Sequence, residues 1–336
     1  MTRRTFLAAV AAGAAPLSPA RSTMGFSPDC FGQSQAPRTA REYLSYASER
    51  GAGGVQAVLP SLDPAYLRET RARAEALGMY LEITTPLPRP PDTAAFEATV
   101  RAAREAGAAA LRSVCLSGRR YETFRTLDDW KAFVADSHAR LAAAVPVVER
   151  HKIPLGLENH KDWTIEEMVP LLRQYSSEYL GACIDWGNNL ALCDDPVELV
   201  EALAPFAVNS HIKDMAIEEY GDGFRLAEVP LGQGFLPLAR MLETIRRARP
   251  QVRFSLDMLT RDPLDIPCLT ESYWATWTAR HPRYLARTLR LARAHRSSPP
   301  LTRVTPLDRE ARRALEQQNV RQSVDFARDT LGLRPA

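Results

Sequence analysis

Three short stretches decide the fold of this chain: IPLGLENH at residues 153–160, LGACIDWGN at residues 180–188 and FAVNSHIKD at residues 206–214. Each is a largely apolar run that ends in polar or ionisable side chains. Such runs are typical of buried strands in a parallel sheet, and stretches with the spacing of amphipathic helices separate them. They therefore predict alternating strands and helices, the pattern of an α/β fold.

The same alternation extends in both directions along the chain. MGFSPDCF, GVQAVLP, MYLEITTP and AAALRSVCL begin at residues 24, 54, 79 and 108, and VRFSLDML begins at residue 252. Eight strand-helix units in one domain predict a (β/α)8 TIM barrel. An open doubly wound sheet is the alternative, although no strand is followed by a glycine-rich phosphate loop.

Signals outside the barrel divide the chain into three parts. Residues 1–23 begin MTRRTFLAAVAAG, two arginines followed by a short apolar stretch, which is the pattern of a twin-arginine signal peptide. We therefore expect a periplasmic or secreted protein with no stable membrane anchor after processing. The alternative is that translation starts at Met24 and that the chain has no export signal. The barrel is predicted over residues 24–296, and a Pro/Ser-rich linker with a C-terminal helix over residues 297–336.

The predicted C-terminal helix has one apolar face. Its members are Val320, Val324, Ala327 and Leu331, at helical spacing. Such a face packs either on the barrel of the same chain or on a second copy. A homo-oligomer is therefore an open alternative.

Composition restricts the classes of partner. Of 336 residues, 45% are hydrophobic and 25% charged, as in folded globular proteins, and the net charge is only +3. No basic run interleaved with aromatic residues is present, so we expect no nucleic-acid partner and favour small polar molecules. The five cysteines form no CxxC pair; we interpret them as small buried residues, with one disulfide left open.

Ionisable side chains recur at the ends of successive predicted strands, where a TIM barrel has its active site. They are Glu158, Asp185, His211 and Asp257. Three carboxylates do not lie close together without positive charge between them. The set predicts one divalent metal ion, with Mn²⁺, Mg²⁺ or Co²⁺ favoured and Zn²⁺ or Fe²⁺ as alternatives. The contrary interpretation is that these acids simply pair with Arg or Lys.

Two further residues share the strand faces of these ligands. His160 lies two residues after Glu158, and Lys213 two residues after His211. We expect both to contact substrate, although His160 could instead cap a backbone carbonyl and Lys213 could pair with Asp214. Two other groups are open alternatives: loop arginines that are solvated or bind substrate (Arg119, Arg120, Arg261), and tryptophans that pack in the core or stack on a sugar (Trp163, Trp186, Trp274, Trp277).

The segments GLENHKDWTIEEM, CIDWGNNLALCDDP, NSHIKDM and LGQGF, in this order, resemble the xylose-isomerase-like TIM-barrel superfamily of sugar and sugar-phosphate isomerases and epimerases. The resemblance covers roughly residues 24–296. It implies that the four strand-end residues bind one divalent metal ion, with Glu158 and Asp257 as the proton-transfer pair. Two positions depart from the family: Asp257 stands where Glu is usual, and Asn188, a predicted substrate contact, where several epimerases have His.

The resemblance implies a metal-dependent isomerase or epimerase that acts on a small sugar or keto sugar. The reaction would move a proton next to a carbonyl through a stabilised enediolate. The same residues would serve a lyase or dehydratase, or an enzyme that cleaves a keto-glycoside. A catalytically inactive sugar-binding barrel is the alternative outside enzymology, and the near-neutral charge argues against an endonuclease.

Overall fold

The computed structural model describes residues 22–37 and 39–335. Residues 1–21 of the predicted signal peptide lie outside this part, so export stays a prediction. Among the helices of the described part, none has the length and apolar character needed to span a bilayer.

The strands of the described part account for both a barrel and a smaller sheet. They are β1 (Gly25–Phe26), β2 (Gly54–Ala57), β3 (Tyr80–Thr84), β4 (Ala110–Ser113), β5 (Leu155–Glu158), β6 (Leu180–Asp185), β7 (Ala207–Ile212), β8 (Asp214–Tyr220), β9 (Gly223–Val229), β10 (Arg253–Leu256) and β11 (Leu264–Ile266).

Within the described residues, eight parallel strands close a barrel in the order β1-β10-β7-β6-β5-β4-β3-β2. Each of these strands lies in one of the apolar runs predicted from the sequence, so the (β/α)8 fold is confirmed and the open sheet is excluded. The strands that carry the predicted ligands, β5, β6, β7 and β10, are consecutive neighbours around the barrel. Their C-terminal ends therefore meet on one side of its mouth.

Helices surround the barrel and carry the start signals expected from the sequence. They are α1 (Ala40–Ser48), α2 (Pro64–Leu77), α3 (Ala94–Glu105), α4 (Arg120–Thr123), α5 (Leu127–His151), α6 (Ile165–Tyr175), α7 (Pro196–Leu203), α8 (Leu238–Ala248), α9 (Glu271–Trp274), α10 (Arg283–Ala294) and α11 (Arg309–Asp329). Asp63 accepts hydrogen bonds from two backbone N–H groups at the start of α2. Thr164 and Glu167 form the capping box at the start of α6.

A three-stranded antiparallel sheet lies outside the predicted barrel pattern, and none of its strands is predicted from the sequence. β8 and β9 form a hairpin through the turn at Gly221 and Asp222, and β11 pairs with β9. Since β8 begins two residues after β7 ends, the hairpin stands at the C-terminal mouth of the barrel. There Glu228 of β9 accepts a hydrogen bond from Arg261 at 2.6 Å.

The C-terminal helix α11 packs on the barrel of its own chain. Its predicted apolar residues Val320, Val324, Ala327 and Leu331 are all buried, so this face is not free for a second copy. The buried side chain of Glu316 accepts hydrogen bonds from the backbone N–H of Gln33 at 2.6 Å and of Ser34 at 2.9 Å. The helix thereby fixes the loop that follows β1.

We predict that Glu316→Ala destabilises the protein by about 1–3 kcal/mol, because two backbone N–H groups lose their buried acceptor. Urea unfolding followed by circular dichroism measures the change. Gln318→Ala, at an exposed position of the same helix, is the matched control and should alter the free energy of unfolding by less than about 0.5 kcal/mol. Equal stabilities for the two variants would contradict a stabilising role for Glu316.

Candidate active site

The barrel brings the predicted metal ligands together. Glu158 is the last residue of β5, Asp185 is the last residue of β6, and Asp257 directly follows β10. His211 on β7 lies opposite Asp185 in the strand pairing. All four side chains are buried, the most exposed being Asp257 at 7%.

His211 is the common member of this cluster. Its Nδ1 lies 3.4 Å from Oε2 of Glu158 and 3.8 Å from Oδ2 of Asp185. Donor atoms of Asp185, His211 and Asp257 lie within 4.8 Å of one another, and those of Glu158, Cys183 and His211 form a second such group. The imidazole therefore links the acid on β5 to those on β6 and β10.

A series of buried amides holds the imidazole ring in place. Nε2 of His211 lies 2.7 Å from Oε1 of Gln56, and Nε2 of Gln56 donates to Glu82 at 2.8 Å. Asn209 donates to the same Glu82 oxygen at 3.1 Å. Since an amide oxygen only accepts, Nε2 of His211 donates and Nδ1 is directed at the acids. Metal-binding histidines are commonly oriented by such contacts.

Cations of the chain itself pair with the three acids. Arg112 donates through Nε to Oε2 of Glu158 at 2.6 Å. Nζ of the buried Lys213 lies 2.8 Å from Oδ2 of Asp185 and 2.7 Å from Oδ2 of Asp257. The acids thus both converge and pair with Arg or Lys, so the two interpretations that the sequence left open are combined.

These pairs control the protonation of the site. Burial is the largest single effect on the pKa of Glu158 and raises it, but Arg112 and His211 together outweigh burial and lower that pKa well below its usual value. At Asp257, Lys213 and His211 together likewise outweigh burial and lower the pKa. At Asp185 burial prevails and raises the pKa. Asp185 and Asp257 in turn raise the pKa of Lys213, so Lys213 is an ammonium at neutral pH.

The donor set fits a divalent cation. Oδ2 of Asp185 is buried and forms an ion-pair contact with Lys213. Nδ1 of His211 is also buried and faces the acids. Two carboxylates and an imidazole within 4.8 Å of one another suit Mn²⁺, Mg²⁺ or Co²⁺. Because Lys213 contacts the same carboxylates, a bound ion would share Asp185 and Asp257 with its ammonium group.

A cavity of about 280 Å³ opens above this cluster. Its lining includes Glu158, His160, Asn188, Lys213 and Asp257. The volume lies near the lower end of small-molecule sites, which are about 300–1,000 Å³. A larger groove of about 440 Å³ lies elsewhere, between α5 and α6, and contains none of the converging residues. The chemistry therefore assigns the site to the smaller cavity.

The three predicted substrate contacts all line this cavity. Nδ1 of His160 lies 3.0 Å from the carbonyl oxygen of Leu116, so this ring also caps a backbone carbonyl. Burial lowers the pKa of His160 to about 4, which makes it neutral. Asn188 donates to Glu158 at 3.2 Å. Lys213 pairs with the acids of the cluster and not with Asp214.

Several side chains that the sequence left as possible site residues have other contacts in the structure. Asp214 accepts hydrogen bonds from backbone N–H groups of the loop at Gly232 and Gly234. Arg120 is buried, not solvated, and stacks on Trp130 and Trp277. Of the two alternatives for the four tryptophans, core packing is correct, because none of them lines the cavity and all pack in or against the core.

The prediction of small buried cysteines is confirmed: all five are buried and unpaired.

Sequence reasoning missed Lys161, a buried cation of the cavity. Its Nζ donates to Oδ1 of Asn188, and it makes no ion pair with a carboxylate in the described part of the chain. Its backbone lies in the left-handed region, with φ +63°. Burial, reinforced by the positive charges of Lys213 and Arg261, lowers its pKa to about 8.

Comparison with known proteins decides the family. The sequence model of the xylose isomerase-like TIM-barrel family matches residues 44–287 of this chain. The chain belongs to this family. Among curated proteins, the chain is similar to 3-oxo-isoapionate decarboxylase of Pectobacterium atrosepticum, with 31% identity over 209 residues that cover 60% of this chain and 71% of that protein.

Solved structures share the fold of this chain at low sequence identity. A D-psicose 3-epimerase crystallised with D-fructose superposes with a TM-score of 0.60 and 13% identity, over 92% of this chain and 99% of that chain. A Mycobacterium smegmatis member in complex with magnesium gives a TM-score of 0.53 and 16% identity, over 82% and 98%. At these identities the similarity establishes the architecture alone.

We predict that Lys161→Met stabilises the protein at pH 7 by about 1–3 kcal/mol, because it removes a buried cation without a carboxylate partner. The folded-state pKa of about 8 lies below the unfolded value, so the unfolded chain binds more protons above pH 8. The stability of the parent protein should therefore rise relative to the variant from about pH 8 to pH 10. Urea unfolding at pH 7 and pH 10 checks this, and a destabilised variant at pH 7 would contradict it.

Proposed function

We propose that this protein is an enzyme that forms and reprotonates an enolate next to the carbonyl of a sugar-derived substrate, as a sugar isomerase or epimerase does. The observation that carries the proposal is the convergence of Glu158, Asp185 and Asp257 with Lys213 and His211 at one cavity. Two carboxylates from different strands are available to move a proton, and buried positive charge lies between them to stabilise the oxygen where charge develops.

The roles follow from the contacts of each side chain. Asp257 accepts hydrogen bonds from Ser27 at 2.7 Å and from Lys213, which fixes its carboxylate. Glu158 is held by Arg112 and by Asn188. In a proton-transfer reaction, one of these acids removes a proton from the carbon next to the carbonyl and the other returns one. The ammonium of Lys213 stabilises the enolate oxygen.

We further propose that Glu158, Asp185, His211 and Asp257 hold one divalent metal ion. Such an ion supplies Lewis-acid polarisation of the substrate carbonyl. The buried Nδ1 of His211, which faces Glu158 and Asp185, and the orienting contact of its Nε2 with Gln56 support the proposal.

A lyase is the second candidate, and the pairing of the acids favours it. Arg112 and Lys213 lower the pKa of Glu158 and Asp257, which weakens both as bases. Decarboxylation of a 3-oxo acid needs no base: the bond from the α-carbon to the carboxyl breaks, its electron pair enters the enolate, CO₂ leaves and a proton adds to the α-carbon. The 31% identity to a decarboxylase points the same way.

We predict that the purified, Mn²⁺-supplemented protein processes a member of a panel of keto sugars and 3-oxo sugar acids. In D₂O, NMR should show deuterium at the α-carbon, and CO₂ release identifies the lyase outcome. Exchange without CO₂ identifies the isomerase or epimerase. Glu158→Gln and Asp257→Asn should each lower the isomerase rate by about 100- to 10,000-fold.

Glu122→Gln, on the cavity rim and paired with Arg119, is the matched control and should keep the parent rate. A panel that binds without deuterium exchange or CO₂ release would favour the inactive sugar-binding barrel and overturn the enzymatic proposal.

We predict that the protein binds close to one Mn²⁺ per chain and that Asp185→Asn lowers the affinity at least tenfold, because Asp185 supplies one of the donor atoms of the cluster. Electron paramagnetic resonance of free Mn²⁺ measures the binding, again with Glu122→Gln as control. Parent protein that leaves Mn²⁺ free in solution would contradict the metal assignment and leave Lys213 as the cation of the site.

A further inference from the structure

The cationic side chains that line the cavity differ in whether a carboxylate lies within ion-pair distance. Arg112, Arg119, Lys213 and Arg261 each have a carboxylate within ion-pair distance: Glu158, Glu122, Asp185 with Asp257, and Glu228. Lys161 has none among the described residues. It also lies near Lys213 and Arg261, whose charges repel its own. Asp185 and Glu228 act on Lys161 only through space and do not offset burial. The cavity therefore holds one buried positive charge without a direct carboxylate partner among the described residues.

The backbone around Lys161 is held firmly in an unfavourable conformation. Lys161 has a φ of +63°, a backbone angle that is common for glycine, asparagine and aspartate but uncommon for lysine. The side chain of Asp162 accepts hydrogen bonds from the backbone N–H groups of His160 at 3.1 Å and Trp163 at 2.9 Å. The backbone carbonyl of Lys161 accepts from the N–H of Arg120 at 3.0 Å. These contacts maintain the strained residue, and strain retained in this way is common at functional sites.

Asn188 connects Lys161 to the reacting groups. Its Oδ1 accepts a hydrogen bond from Nζ of Lys161 and one from Nζ of Lys213 at 3.4 Å, and its Nδ2 donates to Glu158. An ammonium group has three N–H donors, so Lys161 retains further donors after binding Asn188. They are available to a ligand in the cavity.

A negatively charged ligand in the cavity would offset the unfavourable free energy of burying the Lys161 ammonium. An ammonium buried without a counter-charge is unfavourable, and an anion in the cavity would supply that counter-charge. A phosphate is usually bound by several donors at once, such as paired arginines or a helix N-terminus. Here the cavity arginines are already occupied by carboxylates of the chain, and a single ammonium suits a single carboxylate.

We propose that Lys161 binds a carboxylate of the substrate, so that the site takes a small sugar acid in preference to a neutral sugar. This inference rests on the proposed function, because it places the carboxylate beside the enolate-forming groups that Asn188 connects to Lys161. The cavity of about 280 Å³ restricts the substrate to a small acid. Lys161 thereby determines specificity, and Glu158, Lys213 and Asp257 perform the chemistry.

Binding of stable sugar acids tests the assignment without any turnover. The probes are erythronate, threonate and gluconate, each matched with its neutral polyol, erythritol, threitol or glucitol, and with erythritol 4-phosphate as the phosphate arm. Isothermal titration calorimetry measures the affinities at pH 7. The parent protein should bind at least one sugar acid tenfold or more tightly than its polyol and more tightly than the phosphate.

Lys161→Met should remove this preference, lowering acid affinity tenfold or more while leaving polyol affinity within about twofold. Lys161→Arg keeps the charge and should retain part of the preference. Lys131→Ala, an exposed lysine on α5, should bind like the parent protein. Circular dichroism and unfolding temperature verify that each variant is folded.

A parent protein that does not prefer acids would overturn the inference, and so would a folded Lys161→Met variant that binds acids as the parent does. A preference for the phosphate would overturn the carboxylate assignment. The outcomes separate this inference from the proposed function. Lys161-dependent acid binding without exchange or CO₂ release would refute only the enzymatic proposal, and turnover of neutral keto sugars that is unchanged in Lys161→Met would refute only the inference.

Discussion

Three buried carboxylates at the end of a closed parallel sheet require positive charge beside them, and this chain supplies that charge from its own strands. Arg112 on β4 and Lys213 at the end of β7 are fixed by the same barrel that fixes the acids. A buried carboxylate with no such partner costs several kcal/mol, a large share of the roughly 5–15 kcal/mol that stabilises a typical fold. The pairs therefore let the acids stay ionised and close together.

This charge balance also defines how a divalent ion would relate to the site. The carboxylates that would bind the ion already have a cationic partner, because Lys213 contacts two of them. Binding would redistribute Asp185 and Asp257 between two cations and would add positive charge to a cavity that already contains Lys161. A substrate with negative charge of its own then becomes the natural complement of the whole site.

The sequence predicts the barrel and its four converging residues because both depend on simple periodicity. The βα units have similar lengths, and the C-terminal end of each strand lies where its apolar run stops. Arg112, Gln56 and Glu82 were missed although they left a signal: each is a polar residue within a run otherwise interpreted as a buried strand. Such residues inside a closed barrel must find buried partners. Arg112 pairs with Glu158, and Gln56 contacts His211. Glu82 accepts hydrogen bonds from Gln56 and Asn209.

Other features have no comparable signal. The left-handed backbone of Lys161 depends on hydrogen bonds to Asp162 and neighbouring loops, which no local pattern encodes. The β8–β9 hairpin was not predicted, although its turn pair, Gly221 and Asp222, lies between alternating runs and a Gly-Asp pair in that position favours a hairpin. The partner of Gln33 and Ser34 could not be inferred at all, since Glu316 follows them by 283 and 282 residues.

That last contact has a consequence for biosynthesis. The loop after β1 contributes Ser27, which holds Asp257, and Asp29, which lines the cavity. Its backbone near Gln33 is made early by the ribosome, whereas the helix that anchors it is among the last segments to emerge. The loop therefore gains its Glu316 contact only after α11 has been translated.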